Sequence, residues 1–345
     1  MKQYRIILAI LVIAAVSGQN LFAGGSKEKL YLYNWTYYIP EDVIKDFQKE
    51  TKIQVIVDAY ASNEEMYSKL VAGGAGYDLV VPSGDYVSIM IAEGLIQPLD
   101  LSKVPNFKNF DPAALSRITF DKGNRYSVPY MMGAAGVSVN TTKVANFDLS
   151  WSIFERADLK GRMTMLDDIR EVLGAALKYL GYSVNETNPA RLEEARQVVE
   201  RWKPNLVKFD AEAFGKGFAA GEFWVVQGYA ENVFLEYEES RHGEVKFFFP
   251  KEGMPMYMDS FCILKGAKNV DNAYAFINYI LRPDIAARIA DYLMMPSPNV
   301  PARALMTVKP TYSFEDLAKG EFKEDLGQQA LQLYNDVWRK IRVGN

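Results

Sequence analysis

Tyr33-Asn34-Trp35-Thr36-Tyr37-Tyr38-Ile39-Pro40 decides how this 345-residue chain is read. Leu30 to Tyr33 has the apolar, aromatic character of a β-strand. Pro40 suits the first position of a helix, whose apolar face is Val43, Ile44 and Phe47. Between them, rings and hydroxyls crowd a strand-to-helix turn, where a ligand can reach them. A buried core would use apolar side chains with fewer polar tips.

Working outward, the next segments repeat the alternation. Ile53 to Val57 is β-branched and reads as a strand. Ser62 with Glu65 three residues on forms a capping box for a helix through Leu70. Tyr77 to Val81 is a buried-type strand ending at Pro82-Ser83, and a short helix follows it to Gly94. Alternating strands and helices imply an open, mostly parallel sheet, which binds ligands outside the carboxyl ends of its strands. Trp35 and Ser83 sit at two such ends, so one crevice can collect both. The glycine cluster at 73–76 matches no dinucleotide fingerprint and reads as a loop.

From Gly133 the pattern restarts. Gly136 to Asn140, Leu159 to Leu166, Phe223 to Gln227, Val245 to Phe249 and Met258 to Leu264 are strand-like. Long helices run from Asp168 to Leu180-Gly181, from Arg191 to Trp202 and from Leu326 to Ile341. The expected fold is α/β with two lobes, each a mixed, mainly parallel sheet flanked by helices, with a ligand cleft between them. The expected lobes are 30–133 with 259–304, and 134–258 with 305–345.

Residues 1–24 read as an export signal, with Lys2 and Arg5 ahead of an apolar run from Ile6 to Val16. Cleavage near Ser17, Ala23 or Gly24 fits; an uncleaved anchor is the alternative. Leu21-Phe22-Ala23-Gly24 resembles the start of a lipoprotein signal, which requires a Cys next. This sequence has Gly25, so lipidation would need a Cys there or nearby in the native protein. The expected location is periplasmic.

Composition excludes several functions. The formal net charge is −4 with no polybasic run, which argues against nucleic acid as a partner. The one Cys, Cys262, lies in an apolar run and reads as an inert buried thiol. The one His, His242, lies in a polar stretch and reads as a solvated loop residue. Multi-His or multi-Cys zinc sites cannot be assembled, and nucleophilic triads lack a base in a suitable context. No cofactor motif is present.

Two acidic sites stand out. Asp168 and Glu171 lie three apart in the first turn of a helix. They serve either as an N-cap with a dipole partner or as a carboxylate pair facing a cation. Alternation puts Tyr257 and Asp259 on one strand face and Met258 on the other. Asp259 either ends its strand in water or has a buried partner, since an unpaired buried charge is costly.

These motifs occur in a telling order: Tyr33-Asn34-Trp35-Thr36, Asp78 to Ser83, Asp167-Asp168 with Arg170-Glu171, Pro250 to Gly253, Met258-Asp259-Ser260, and Leu281-Arg282-Pro283-Asp284. The ordered set resembles the spermidine/putrescine-binding proteins of bacterial polyamine transporters, from Leu30 to the C-terminus. The resemblance implies a type II periplasmic binding protein with no catalytic activity and no cofactor or metal. It would be a monomer that hands a polyamine to a permease and an ATPase on separate chains. Trp35 and Tyr38 would line the methylene chain, and Thr36 and Ser83 would offer hydroxyls. Asp168, Glu171 and Asp259 would take the ammoniums, and Tyr229 and Tyr257 would keep aromatic faces where the family often has Trp.

Three positions depart from that pattern. Asp85 and Met295 stand where enteric members carry Tyr, and Lys323 stands near a family Gln. A lysine repels a nearby ammonium, and Asp85 would neutralise it. The expected result is a shorter cleft that favours putrescine over spermidine. The alternatives are the same clamp holding another solute, such as an amino acid or sugar, and an exported glycoside hydrolase using Asp168 and Asp259. An amino-acid site should add an Arg for the ligand carboxylate, and Arg170 is the obvious candidate.

Overall fold

The computed structural model describes residues 28–73 and 76–343; the expected export signal lies outside them. Eleven strands are described: β1 (Lys29–Trp35), β2 (Gln54–Tyr60), β3 (Leu79–Val80), β4 (Val128–Ala134), β5 (Gly136–Asn140), β6 (Met163–Met165), β7 (Leu206–Phe209), β8 (Val225–Gly228), β9 (Val245–Phe248), β10 (Met254–Ile263) and β11 (Gly320–Phe322). They form two mixed sheets. One runs β11-β10-β3-β1-β2 with β4 also on β10; the other runs β7-β6-β8-β5-β9. Helices flank both, which gives the two-lobed α/β architecture expected.

The first sheet places the opening motif. β1 pairs in parallel with β2 and β3, so the chain leaves all three strands at the same edge. β3 pairs over only two residues, shorter than the apolar run 77–81, because its flanks are used elsewhere. The Asp78 carboxylate accepts from the backbone N–H groups of Tyr31, Lys268 and Asn269, each at 2.9 Å. That carboxylate ties β1 and β3 to the helix Val270–Ile280. At the other flank the Val81 carbonyl accepts from the Trp35 indole at 2.8 Å and the Tyr60 hydroxyl at 2.7 Å.

Helix starts follow the sequence with small corrections. Pro40 is the N-cap of the helix Glu41–Thr51 rather than its first residue; its carbonyl accepts from Val43 and Ile44. Val43 and Phe47 are fully buried and Ile44 half-buried. Ser62 caps the helix Asn63–Val71 by accepting from the Glu65 N–H. Glu65 reaches back to the Ala61 N–H at 2.9 Å, one residue earlier than a capping box requires. Asp168 caps the helix Ile169–Tyr179 by accepting from the N–H groups of Arg170 and Glu171.

β10 is the central strand. All ten of its residues are buried. It starts four residues earlier than the run Met258–Leu264 suggested, and it passes unbroken through the expected lobe boundary at 258/259. It pairs antiparallel with β4, and the register shifts between Asp259 and Ser260, which face Met131 and Pro129. Pro129 has no N–H to give the ladder, so a bulge there relieves a lost bond and re-aims its neighbours. Tyr130, skipped by the pairing, sends its hydroxyl to the Tyr38 carbonyl at 2.7 Å. The crossing from β4 to β5 takes one residue, and a Cβ on Gly136 would meet the Phe248 carbonyl at 2.7 Å.

Cys262 is buried, as its apolar context required. His242 departs from expectation. It is half-buried, its Nε2 lies 3.0 Å from the Phe234 and Tyr237 carbonyls, and its ring packs edge-on against Phe234. The flanking polar residues concealed that aromatic contact.

Candidate functional site

A cleft of about 430 Å³ lies between the lobes. Eight of the ten expected residues line it: Trp35, Thr36, Tyr38, Ser83, Asp168, Tyr229, Tyr257 and Asp259. Asp85 and Glu171 do not. Both are buried behind its wall, at 4 % and 0 % exposure.

Asp259 anchors one end. It does not end its strand; it sits within β10 at 4 % exposure. Tyr38 donates to its Oδ2 at 2.7 Å and Ser83 donates to its Oδ1 at 2.6 Å. Asn63 supports Ser83 from behind, its Nδ2 donating to Ser83 Oγ at 3.1 Å. The Ser83 hydroxyl is thus given to Asp259, and the Thr36 hydroxyl to the Tyr60 carbonyl at 3.4 Å. Burial pushes the Asp259 carboxyl up to about 7, although the Ser83 and Tyr38 bonds and the Lys323 charge pull the other way.

Glu231 faces the same end and was missed. It follows Tyr229 by two residues, in the first turn of the short helix Ala230–Phe234, where an acid reads as a partner for the helix dipole. Only tertiary structure shows that it lines the cleft at 7 % exposure. Burial pushes it up to about 7, with the Tyr257 hydroxyl opposing. Tyr229 and Tyr257 meet at 5.5 Å with rings nearly perpendicular. Their hydroxyls, like that of Tyr38, are raised by burial and neighbouring carboxylates, so they remain neutral donors. Among the described residues, no Lys or Arg is bonded to Asp259 or Glu231.

The other end contains its own cation. Lys323 follows β11, lines the cleft at 7 % exposure, and donates from Nζ to Glu171 Oε1 at 2.6 Å. Burial works against its charge, but Glu171, Asp168 and Asp85 outweigh that and hold its pKa raised. Lys323 is therefore neutralised by a direct bond to Glu171, not by Asp85 as the sequence suggested. Asp85 lies 3.9 Å from Arg170, and the Lys323 charge also acts on it. Arg170 also donates to the Glu324 carbonyl and to Asn185, and it does not line the cleft. Asp168, half-buried, both caps its helix and faces the cleft, so its two readings are compatible.

At the mouth the lobes touch. Tyr37, at φ 62°, meets the Lys216 ammonium, which lies 5.9 Å from its ring. The tight turn after β1 projects Tyr37 outward and leaves Trp35 and Tyr38 inward. Met295, one of the departures, is fully buried and does not line the cleft.

Comparison with known proteins agrees with this architecture. Residues 42–312 match the model of the bacterial extracellular solute-binding protein family. The chain is 37 % identical to a spermidine/putrescine-binding periplasmic protein of Salmonella typhimurium, over 96 % of each chain. It is 35 % identical to a putrescine/cadaverine-binding protein of Pseudomonas aeruginosa, over 94 % of this chain and 97 % of the other. Its structure superposes on the TpPotD lipoprotein of Treponema pallidum with a TM-score of 0.86 and 47 % identity, over 91 % of this chain and 99 % of the other. These relatives are binding proteins. The chain belongs to the bacterial extracellular solute-binding proteins, in the group of the spermidine/putrescine-binding periplasmic proteins.

Proposed function

We propose that this protein is the periplasmic receptor of a polyamine importer and takes putrescine ahead of spermidine. The observation that carries the reading is the Asp259 end of the cleft. Two buried carboxylates face one space, three tyrosines wall it, and among the described residues no cation is bonded to either acid. Leaving that charge unpaired is costly, and an organic ammonium with greasy methylenes supplies both the charge and the apolar contact. A charge-assisted hydrogen bond contributes roughly 1.5–3 kcal/mol and a cation over an aromatic face about 0.5–2 kcal/mol. Micromolar affinity needs about 8 kcal/mol, so a few of each suffice.

In this reading Asp259, Glu231 and Asp168 hold ammoniums, Trp35, Tyr38, Tyr229 and Tyr257 cover the methylenes, and Thr36 and Ser83 complete the polar wall. Glu171 and Asp85 act from behind, through Lys323. The lobes divide near 133/134 and 258/259 and close over the ligand as a hinged clamp. The receptor acts as a monomer, performs no chemistry, and delivers its ligand to a permease and an ATPase on separate chains. No helix among the described residues is long and apolar enough to cross a membrane. The amino-acid alternative loses its support because Arg170 does not face the cleft.

Calorimetric titration of putrescine, spermidine, arginine and a sugar panel tests this. The expected result is one-to-one putrescine binding, at least tenfold tighter than spermidine. A tenfold preference for spermidine would sink the ligand order, and binding of arginine or a sugar alone would sink the polyamine reading.

A further inference from the structure

A second cavity, of about 80 Å³, is enclosed by elements of both lobes. Glu64, Asp85 and Tyr86 reach it from the helices that follow β2 and β3 of the first sheet. Arg170 reaches it from the helix Ile169–Tyr179, which follows β6 of the second sheet. Asp325 and Tyr334 reach it from the C-terminal segment, whose helix Gly327–Val343 packs on that same helix. The cavity exists only while these two groups of elements stay together.

Two of its walls are buried charges, Asp85 and Arg170. Arg170 is fixed from its own side. Its guanidinium donates to the Glu324 carbonyl at 3.1 Å and to Asn185 at 2.8 Å, and lies 5.4 Å from the Tyr334 ring centroid. Those partners are all neutral. The carboxylate that Arg170 faces is Asp85 of the other lobe, at 3.9 Å, too far for a direct hydrogen bond. Asp85 Oδ1 and Arg170 Nε are both buried with no hydrogen-bond partner among the described residues, although native structures satisfy nearly all such atoms. The Lys323 charge also acts on Asp85, but that ammonium is bonded to Glu171. A polar cavity of this size holds water, so Asp85 and Arg170 form a solvent-separated ion pair between the lobes.

We propose that Asp85 and Arg170 are positioning residues of the clamp, an inter-lobe pair that sets how long the closed form holds its ligand without touching that ligand. The inference rests on the reading of the protein as a hinged polyamine receptor. When the lobes part, each charge regains water. When they close, each loses it, and the partner across the gap is the compensation. Removing one partner leaves the other charge buried and unpaired, which disfavours the closed form; removing both relieves that penalty. A residue that only stabilised its own lobe would not behave in this way.

The test is stopped-flow release of putrescine from the wild-type chain, Asp85→Asn, Arg170→Gln and the double variant, with thermal melting of each ligand-free chain. Each single variant should release putrescine about tenfold faster, and the double variant should return to within about threefold of wild type. Arg170→Gln loses its bonds to Glu324 and Asn185, so it should lower the melting temperature by the same amount whether or not Asp85 is changed. Additive effects on release, or coupling seen in melting alone, overturn the proposal. Asp85→Glu reaches further across the gap and should slow release severalfold, which decides the matter if Arg170→Gln does not fold; release unchanged or faster in Asp85→Glu overturns the proposal. A wild type that binds no polyamine overturns the functional reading instead. Small-angle scattering of the ligand-free chains then decides the pair's role: each single variant should be more expanded than wild type and the double variant should not, and equal radii of gyration overturn it.

Discussion

The two ends of the cleft are both acidic, but they solve the charge problem differently. At the β11 end, Glu171 and Lys323 form a buried ion pair at 2.6 Å, so the protein carries its own counter-ion. At the β10 end, Asp259 accepts from the Tyr38 and Ser83 hydroxyls, Glu231 lies beside Tyr257, and neither acid has a bonded cation among the described residues. A buried ion pair is close to neutral in net stability, and breaking it is expensive. A buried acid held only by hydroxyls instead keeps a standing demand for a cation. The first end is built for the folded state and the second for the ligand.

The largest expected effects separate these roles. Asp259→Asn should cost at least a hundredfold in putrescine affinity, about 3 kcal/mol, with little change in melting temperature. Glu171→Gln should do the reverse, lowering the melting temperature markedly because Lys323 loses its direct partner, by an amount on the order of 2–3 kcal/mol. Calorimetry and thermal melting on both variants check the pair. Equal losses of affinity would erase the distinction between the ends.

Glu231→Gln should lower putrescine affinity about tenfold, near 1.4 kcal/mol, since one of the two acids at the β10 end is removed. An unchanged dissociation constant would leave Asp259 as the sole acceptor there and narrow the comparison to one residue.

The smallest effect is on pH dependence. Asp259 and Glu231 stand at about 7 in the ligand-free fold, against about 4 in an unfolded chain. The folded state binds these protons more tightly, so this contribution to stability is full below about pH 4 and is lost as pH rises through 7. A bound dication needs both acids ionised, so its stabilisation runs the opposite way. Melting curves from pH 5.5 to 8.5 should show the free protein losing stability as pH rises while the increment added by putrescine grows. An increment independent of pH would mean that neither acid meets an ammonium.

Much of the fold was legible because its signals are local. The β-branched and aromatic runs, the Ser62 and Asp168 caps and the alternation of strands with helices depend on residues close in sequence. Eight of the ten expected site residues line the cleft; strand ends and strand alternation pointed to Trp35, Ser83, Tyr257 and Asp259, whereas Tyr229 came only from the family resemblance. Glu171 shows the limit. Spacing placed it beside Asp168, but an N-cap residue and one three positions on diverge when the helix packs, and Glu171 turned inward to a lysine 152 residues away. Glu231 had no signal beyond a helix dipole.

The sequence by itself determined most strand and helix types, the aromatic and acidic character of the binding surface, and the exclusion of zinc sites built on several His or Cys ligands, since these follow from residue identity and short-range pattern. Only the tertiary structure decided which acids face a ligand and which face a protein cation. That choice depends on where β11 docks on β10 and carries Lys323, a contact between segments more than sixty residues apart. Local pattern has no access to such a distance, and the low dielectric of the buried site makes its electrostatic consequence large.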